Sequence, residues 1–514
     1  MKSIYQNQCA ELRQLFAQVS PDRILAVAID FALDQHVVLF CNGQGEQVLK
    51  PFPVHNNTAG FLFLKERILT TCRRLQIDPS HVVLAGEDDP PYALNFLWAL
   101  NQEWLVLRVN ARIAKEHREN LKASTDLLDL LGIAKALLSR QAHRVFPLNL
   151  EANDALQSLK TLGRDRDAIV KDATRLKNRI HSHVKILFPG FLEAHKDNPI
   201  QAFGKPSLAL MAKNDFCATT YARKKAAPLA RSLKSLRLRL SQEKAVELIK
   251  RASEVLAPPP HRIESEQLAL GSLLVAYQAL EEAAYQLELQ QSRILATHSA
   301  AMLTTLPGAG IITVSAMAGE LGQPEELGSR AQMASYAGIV PQVEQSGGPN
   351  SATQTKPTGH RCNHRLKNHL VRAAMNIGTL FGPTEIRQDY RALRDQGRHA
   401  NFIHARRLLG QFKALTSSGS CWLPPSLREG VVDQGEAAKA RYRNELHEYF
   451  SYLWPKLVAK WAVFKLEGIF EDPQSPLGQW RDMIQNIYRI SLPMDGPPIL
   501  KDEEESDVSV GTSN

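Results

Sequence analysis

An α/β amino-terminal domain followed by a mainly helical remainder is the fold class this sequence predicts, and three observations carry it. Residues 23–54 hold three short β-rich runs, "RILAVAIDFA", "HVVLFCN" and "EQVLKPFPV", separated by turn-length breaks. Between residues 55 and 138, helix-period and strand-like runs alternate. From about residue 150 onward, long stretches keep a helical period instead.

Taken in order, the first three runs read as an antiparallel meander. A helix follows at "TAGFLFLKERILTTCRRL", then a buried strand at "HVVLAGE", a helix through "ALNFLWALN", a strand at "WLVLRVN" and a helix at "STDLLDLLGIAKALL". A three-strand meander followed by alternating helices and strands is the order of the RNase H-like superfold, RuvC-type resolvases included. That likeness is one of fold, and chemistry has to come from particular side chains. The domain is expected over residues 22–147, after an N-terminal extension at 1–21.

Composition bounds the partners. A chain of 514 residues is too long for one ordinary core, so two to four domains are expected. Lys and Arg total 62 against 53 acids, a net charge of +9 that favours a polyanion as partner. The cysteines at 9, 41, 72, 217, 362 and 421 form no CxxC pair, which argues against a zinc ribbon or disulfide framework and suits a reducing cytosol. No apolar run approaches membrane-spanning length, and "MKSIYQNQCAELRQ" lacks a signal-peptide core, so the protein is expected to stay inside the cell.

The acids of the first domain are placed where metal chemistry needs them. Asp30 ends the first strand, Glu87 ends the fourth in "LAGEDDP", and Asp126 and Asp129 stand three apart on one face of the last helix. Carboxylates from two strand ends and one helix supply the hard oxygen ligands that Mg2+ or Mn2+ takes. Each also has a plainer reading: Asp126 charges a first helical turn and Asp30 closes a strand. Asp88 and Asp89 adjoin Glu87 and compete for its place.

Farther along, "DAIVKDATRLKNRIHSHVKILFP" sets Ile169, Ala173, Leu176, Ile180, Val184 and Leu187 near heptad spacing. "LLVAYQALEEAAYQLELQQSRIL" does the same with Leu273, Tyr277, Leu280, Ala284, Leu287 and Ile294, so an antiparallel hairpin or an intermolecular coiled coil is expected over 148–297. The run "YARKKAAPLARSLKSLRLRL" between them reads as a solvated basic face or a phosphate contact. "LTTLPGAGIITVSAMAGEL" resembles a helix-hairpin-helix element, in which Gly308 and Gly310 admit a phosphate close to the backbone at a helix start. The polar stretch "VPQVEQSGGPNSATQTKPTGH" reads as a tether, or as a loop in which a hydroxyl does chemistry.

In series, Asp30 in "AVAID", Glu87 in "LAGED", "RVNARIAKEHRENLKASTDLLD", "LPGAG", "ASYAGIVPQVEQSGG", "NHRLKNHLVRAA" and "YRALRDQGRH" resemble the DEDD-type insertion-sequence transposases, serine recombinases guided by a bridge RNA. The resemblance covers about residues 22–145 and 298–415. It implies a RuvC-like domain holding Mg2+ or Mn2+ on Asp30, Glu87, Asp126 and Asp129, and a mainly α transposase domain at 298–420 whose nucleophile is Ser346, with Ser351 as the fallback. It further implies nucleic-acid contacts from Lys356, Arg361, Arg365, Lys367 and Arg372 beside Gly308 and Gly310. Implied partners are DNA (donor ends and target), a guide RNA and further copies of the chain as a homo-dimer or tetramer, in a prokaryotic cytoplasm at the nucleoid. The chain departs from the family's usual length at about 190–265 and after 420; a helical extension is expected at 421–494 and a disordered acidic tail at 495–514. Two competing readings are a resolvase-like metal-dependent endonuclease without a covalent intermediate, and a non-catalytic binding protein.

Overall fold

The computed structural model describes residues 9–87, 91–118, 125–144, 150–193, 200–237, 241–322, 329–340, 342–344, 354–356, 362–379, 384–428 and 436–500. The chain divides into two compact units, residues 1–150 and 151–514. Among the described residues no helix is long and apolar enough to cross a membrane. All six cysteines are free thiols.

The first unit opens with helix α1 (Ala10–Gln18) and the meander β1 (Leu25–Asp30), β2 (Gln35–Asn42) and β3 (Gln47–His55). There follow α2 (Thr58–Leu75), β4 (Val82–Glu87), α3 (Leu94–Asn101), β5 (Leu105–Val109), α4 (Ala111–Glu116), α5 (Asp126–Leu138) and β6 (His143–Arg144). The sheet runs β3-β2-β1-β4-β5-β6, with β1, β4 and β5 parallel and the other pairs antiparallel. Every element expected from the sequence up to residue 138 is present. Helix α1 within the N-terminal extension, strand β6 and helix α4 come in addition, the last two too short to show a period.

Strand alternation sorts this unit into two layers. Leu25, Val27 and Ile29 of β1 and Val82 and Leu84 of β4 face a core shared with Leu64 and Ile68 of α2 and Phe96 and Leu97 of α3. Ala26 and Ala28 of β1 and Val83 and Ala85 of β4 face the opposite side, against Leu130, Ile133, Ala134 and Leu137 of α5. Small residues on this second face let α5 lie close to the sheet. By the same period of two, Asp30 and Glu87 belong to the α5 side.

The second unit begins with α6 (Leu150–Leu187), 38 residues long. Four shorter helices, α7 (Lys205–Met211), α8 (Ala218–Ala222), α9 (Ala226–Ser235) and α10 (Ser241–Glu254), lead to α11 (Pro260–Ala296). Ion pairs join Arg166 to Glu288 at 2.6 Å and Lys177 to Glu281 at 3.9 Å, and a hydrogen bond of 2.6 Å joins His183 to Glu266. Numbers rise on α6 as they fall on α11, so the two helices run antiparallel within one chain. Ala173, Ile180, Val184 and Leu187 share a core with Leu273 and Tyr277, and α7–α10 close over it.

A larger core lies beyond. It gathers the 3-10 turn Ser299–Thr305, α12 (Ile311–Leu321), α13 (Arg330–Tyr336), α14 (His364–Thr379), then, past α15 (Thr384–Asp395), helix α16 (Ala400–Ser418), α17 (Glu436–Ala462) and α18 (Pro476–Tyr488). Trp454, Trp461 and Trp480 of the C-terminal extension are fully buried in it. The extension is therefore part of this core and not an appendage. Two details correct expectations. Val340–His360 is not a plain tether: β7 (Gln342–Glu344) and β8 (Gln354–Lys356) pair antiparallel within it. Disorder does not begin at residue 495, because β10 (Ile499–Leu500) pairs with β9 (Ile490–Ser491); residues 501–514 lie outside the described residues.

Candidate functional site

The four acids lie toward one end of the sheet in the first unit, where the charges of Asp126 and Asp129 act on Asp30 and those of Asp30 and Asp129 act on Glu87. Parallel pairing sets Ile29 beside Gly86, so the next residues, Asp30 and Glu87, leave neighbouring strands at the same level. Gly86 is required there: a Cβ would stand 2.2 Å from the Phe31 ring. On α5, Thr125 is the N-cap and accepts the Leu128 N–H, which puts Asp126 and Asp129 in the first turn. Asp126 and Asp129 continue the stripe of Leu130, Ile133 and Leu137 that packs on the sheet, so helical spacing turns both toward the strand ends.

An arginine stands among them. Arg118 Nη2 lies 2.6 Å from Asp129 Oδ1 and 3.5 Å from Glu87 Oε1, with the arginine side chain only 11% exposed. Gly132 makes room for it, since a Cβ there would meet the Ala114 carbonyl oxygen at 2.4 Å and Arg118 Cγ at 3.2 Å. Burial, then the charges of Asp129 and Asp126, hold the Asp30 carboxyl above its ordinary value, with Arg118 pulling the other way. Glu87 is raised too, by burial and by Asp129 and Asp30 against the pull of Arg118. Burial is the larger cause at both carboxyl groups, and the neighbouring acids add to it.

Carboxylates set this near one another could hold a hard cation. Oxygen-only donors from Asp30, Glu87, Asp126 and Asp129 fit Mg2+ or Mn2+, and a cation would relieve the carboxyl groups that resist ionisation. Among the described residues, no three His, Cys, Asp or Glu side chains are yet drawn together around one point. Arg118 spans the gap between Glu87 and Asp129 instead. Asp88 and Asp89 lie outside the described residues.

In the second unit, the expected nucleic-acid residues fall into distinct settings. Gly308 has φ +78°, and a Cβ would stand 2.4 Å from the Ala373 carbonyl oxygen, so this glycine serves the packing of its turn on α14. Gly310 is the N-cap of α12, with open space where a Cβ would be. Beneath the turn, the half-buried Lys460 of α17 donates to the carbonyl oxygens of Thr304 (2.6 Å) and Ala309 (2.9 Å), and desolvation of its ammonium brings it down to about 8.

Arg365 departs most from expectation. Its guanidinium is 14% exposed and bound to Asp167 at 2.6 Å and Glu320 at 2.8 Å, so it is engaged inside the protein and not held out to phosphate. Arg164 and Asn363 also reach Glu320, whose side chain is fully buried. Burial would raise the Glu320 carboxyl, but these donors outweigh it and hold it at about 2. Lys367 is half-buried with its ammonium over the Phe402 ring, and Arg372 is exposed. Lys356 ends β8, while Arg361, Ser346 and Ser351 lie outside the described residues.

Sequence reading missed Arg118, Lys460 and the acids around Arg365. Arg118 follows a six-residue helix and has no periodic signature; the only hint was a basic residue within reach of a candidate acid cluster. Among known protein families, the IS110-type DEDD transposases match residues 27–189, and the family described as Transposase IS116/IS110/IS902 matches residues 300–391. No curated protein matches the chain. One match contains the four converging acids and the other the turn at Gly308 together with α14, and on these two matches the chain belongs to the DEDD-type insertion-sequence transposase family.

Proposed function

We propose that this transposase cuts and rejoins the DNA of a mobile element through a phosphoserine intermediate, with divalent metal on its four acids and a structured RNA as guide. The carrying observation is the meeting of Asp30, Glu87 and the first turn of α5 on one face of the sheet. The strand order supports an RNase H-like, RuvC-type reading of the first unit. The antiparallel α6–α11 pair supports the coiled-coil reading, and the Pro307–Gly310 turn before α12 supports the helix-hairpin-helix reading.

In the proposed reaction Ser346 Oγ attacks a backbone phosphorus. The Oγ–P bond forms, the P–O bond to the leaving sugar breaks, the serine proton passes to a base and the leaving oxygen takes up a proton. One phosphodiester bond is exchanged for another, so the bond energy is kept for rejoining. Mg2+ or Mn2+, when bound, supplies positive charge against the developing negative charge on phosphate. Gly347 and Gly348 beside the serine leave room for the DNA backbone. Cutting both strands of two DNAs calls for a dimer or tetramer, and the net charge of +9 suits two nucleic-acid partners.

The test uses labelled element-end DNA, Mg2+ and the full-length chain on a denaturing gel. A protein–DNA adduct is expected with the wild type and none with Ser346→Ala, while DNA binding is unchanged. Adducts that persist in Ser346→Ala would show that another residue is the nucleophile. Free 5′-phosphate ends without any adduct would instead establish the water-activating endonuclease.

A further inference from the structure

Helix α15 carries Arg387, Arg391 and Arg394 at i, i+4 and i+7, which places them along one side of the helix. Its apolar side is distinct: Tyr390 and Leu393 are buried with Ala400. Tyr390 lies against Gly378 of α14, where a Cβ would stand 2.1 Å from the ring. This close approach leaves a cavity of about 420 Å3 lined by Gly378, Tyr390, Asp395 and the three arginines. Three arginines against one aspartate give the lining a charge of +2 (3 − 1). The other acids of α15 are directed elsewhere: Asp389 is bound by Arg407 and by His404 at 3.2 Å, and Glu385 accepts from Ser426 at 3.2 Å. Arg391 and Arg394 are exposed.

We propose that this side of α15 is a binding site for the phosphodiester backbone of duplex DNA. The assignment rests on the reading of the chain as an enzyme acting on DNA, and it names the surface that holds the duplex. The seven helical steps from Arg387 to Arg394 rise about 10 Å. Four successive phosphates of one strand of a duplex, separated by three intervals, rise about 10 Å along its axis. Guanidinium groups pair with phosphate oxygens two at a time, and a concave wall lets one of them approach from the side. The site also answers what Arg365 leaves open. That arginine is held by Asp167 and Glu320, whereas Arg391 and Arg394 are exposed on the rim of a positively charged hollow.

Salt dependence reads the number of phosphate contacts. Binding of a fluorescent duplex DNA to the full-length protein is followed by anisotropy over a series of KCl concentrations, giving the slope of log K against log salt. Each contact contributes about 0.9 to the slope. R391A/R394A is expected to flatten the slope by about 1.8, R391K/R394K to keep the slope while weakening binding, and R441A, an exposed arginine on α17, to leave both unchanged. Circular dichroism confirms that each variant is folded. An unchanged slope in R391A/R394A, with steep salt dependence in the wild type, would overturn the site and leave the DNA reading standing. A wild type that binds no DNA would overturn the DNA reading and the site with it. Flattening seen only on a single-stranded RNA probe would also overturn the assignment to duplex DNA.

Discussion

At the scale of single residues, the acids of the first unit work against one another. Asp30 and Glu87 have carboxyl groups raised above their ordinary values, by burial first and by neighbouring acids after it. A carboxyl raised in the folded state contributes stability that is full below its unfolded value and is lost as pH rises through the folded one. At neutral pH the metal-free protein therefore carries the cost of ionising them. Asp30→Asn is expected to raise the melting temperature at pH 7 by about 2 °C, with the difference fading toward pH 3; thermal melts at the two pH values check it. Arg118 moderates the same repulsion, and from its position between Glu87 and Asp129 it would compete with a cation placed there. Asp30 at a strand end and the three-residue spacing of Asp126 and Asp129 stood out in the sequence, whereas Glu87 is preferred to Asp88 and Asp89 partly on the family resemblance. Arg118 did not stand out, because nothing periodic surrounds it.

At the scale of elements, one buried network ties α6, α12 and α14 together. Glu320 receives Arg164, Arg365 and Asn363, and Asp167 receives Arg365 and His369. Burial is outweighed by these donors, which hold Glu320 at about 2 and Asp167 well below the usual carboxylate range. A depressed carboxyl contributes stability that is present above its unfolded value and lost as pH falls through the folded one. Glu320→Gln is expected to destabilise the protein by about 3 kcal/mol at pH 7, with the gap to wild type narrowing between pH 4.5 and 2; denaturant unfolding across that range measures it. The network also shows where sequence reading stops. The acids that hold Arg365 lie 198 and 45 positions away from it, so its text looked like a free basic helix. Strands β7 and β8 were missed for a local reason: three residues each are too few for alternation to register. The long helices α6 and α11 were plain, and the ion pairs between them decided which of two arrangements they take.

At the scale of the whole molecule, the chain divides its chemistry. The acids belong to one compact unit and the candidate serine to the other, and the C-terminal extension, which the sequence left without a role, builds the core of the second with Trp454, Trp461 and Trp480. The α/β domain and its helix order were readable because each element is long and periodic. The partition of the helical remainder was not, because its cores join segments more than 100 positions apart, as when Leu156, Leu303 and Trp461 belong to one core. The proposed chemistry stands or falls on whether the sheet end binds divalent metal. Calorimetric titration of Mn2+ into the chelator-treated, full-length chain addresses that directly. Saturable binding is expected in the wild type, tighter binding in Arg118→Ala, and none in Asp30→Asn or Glu87→Gln. Binding of wild-type strength in both Asp30→Asn and Glu87→Gln, or no saturable binding in either the wild type or Arg118→Ala, would contradict it.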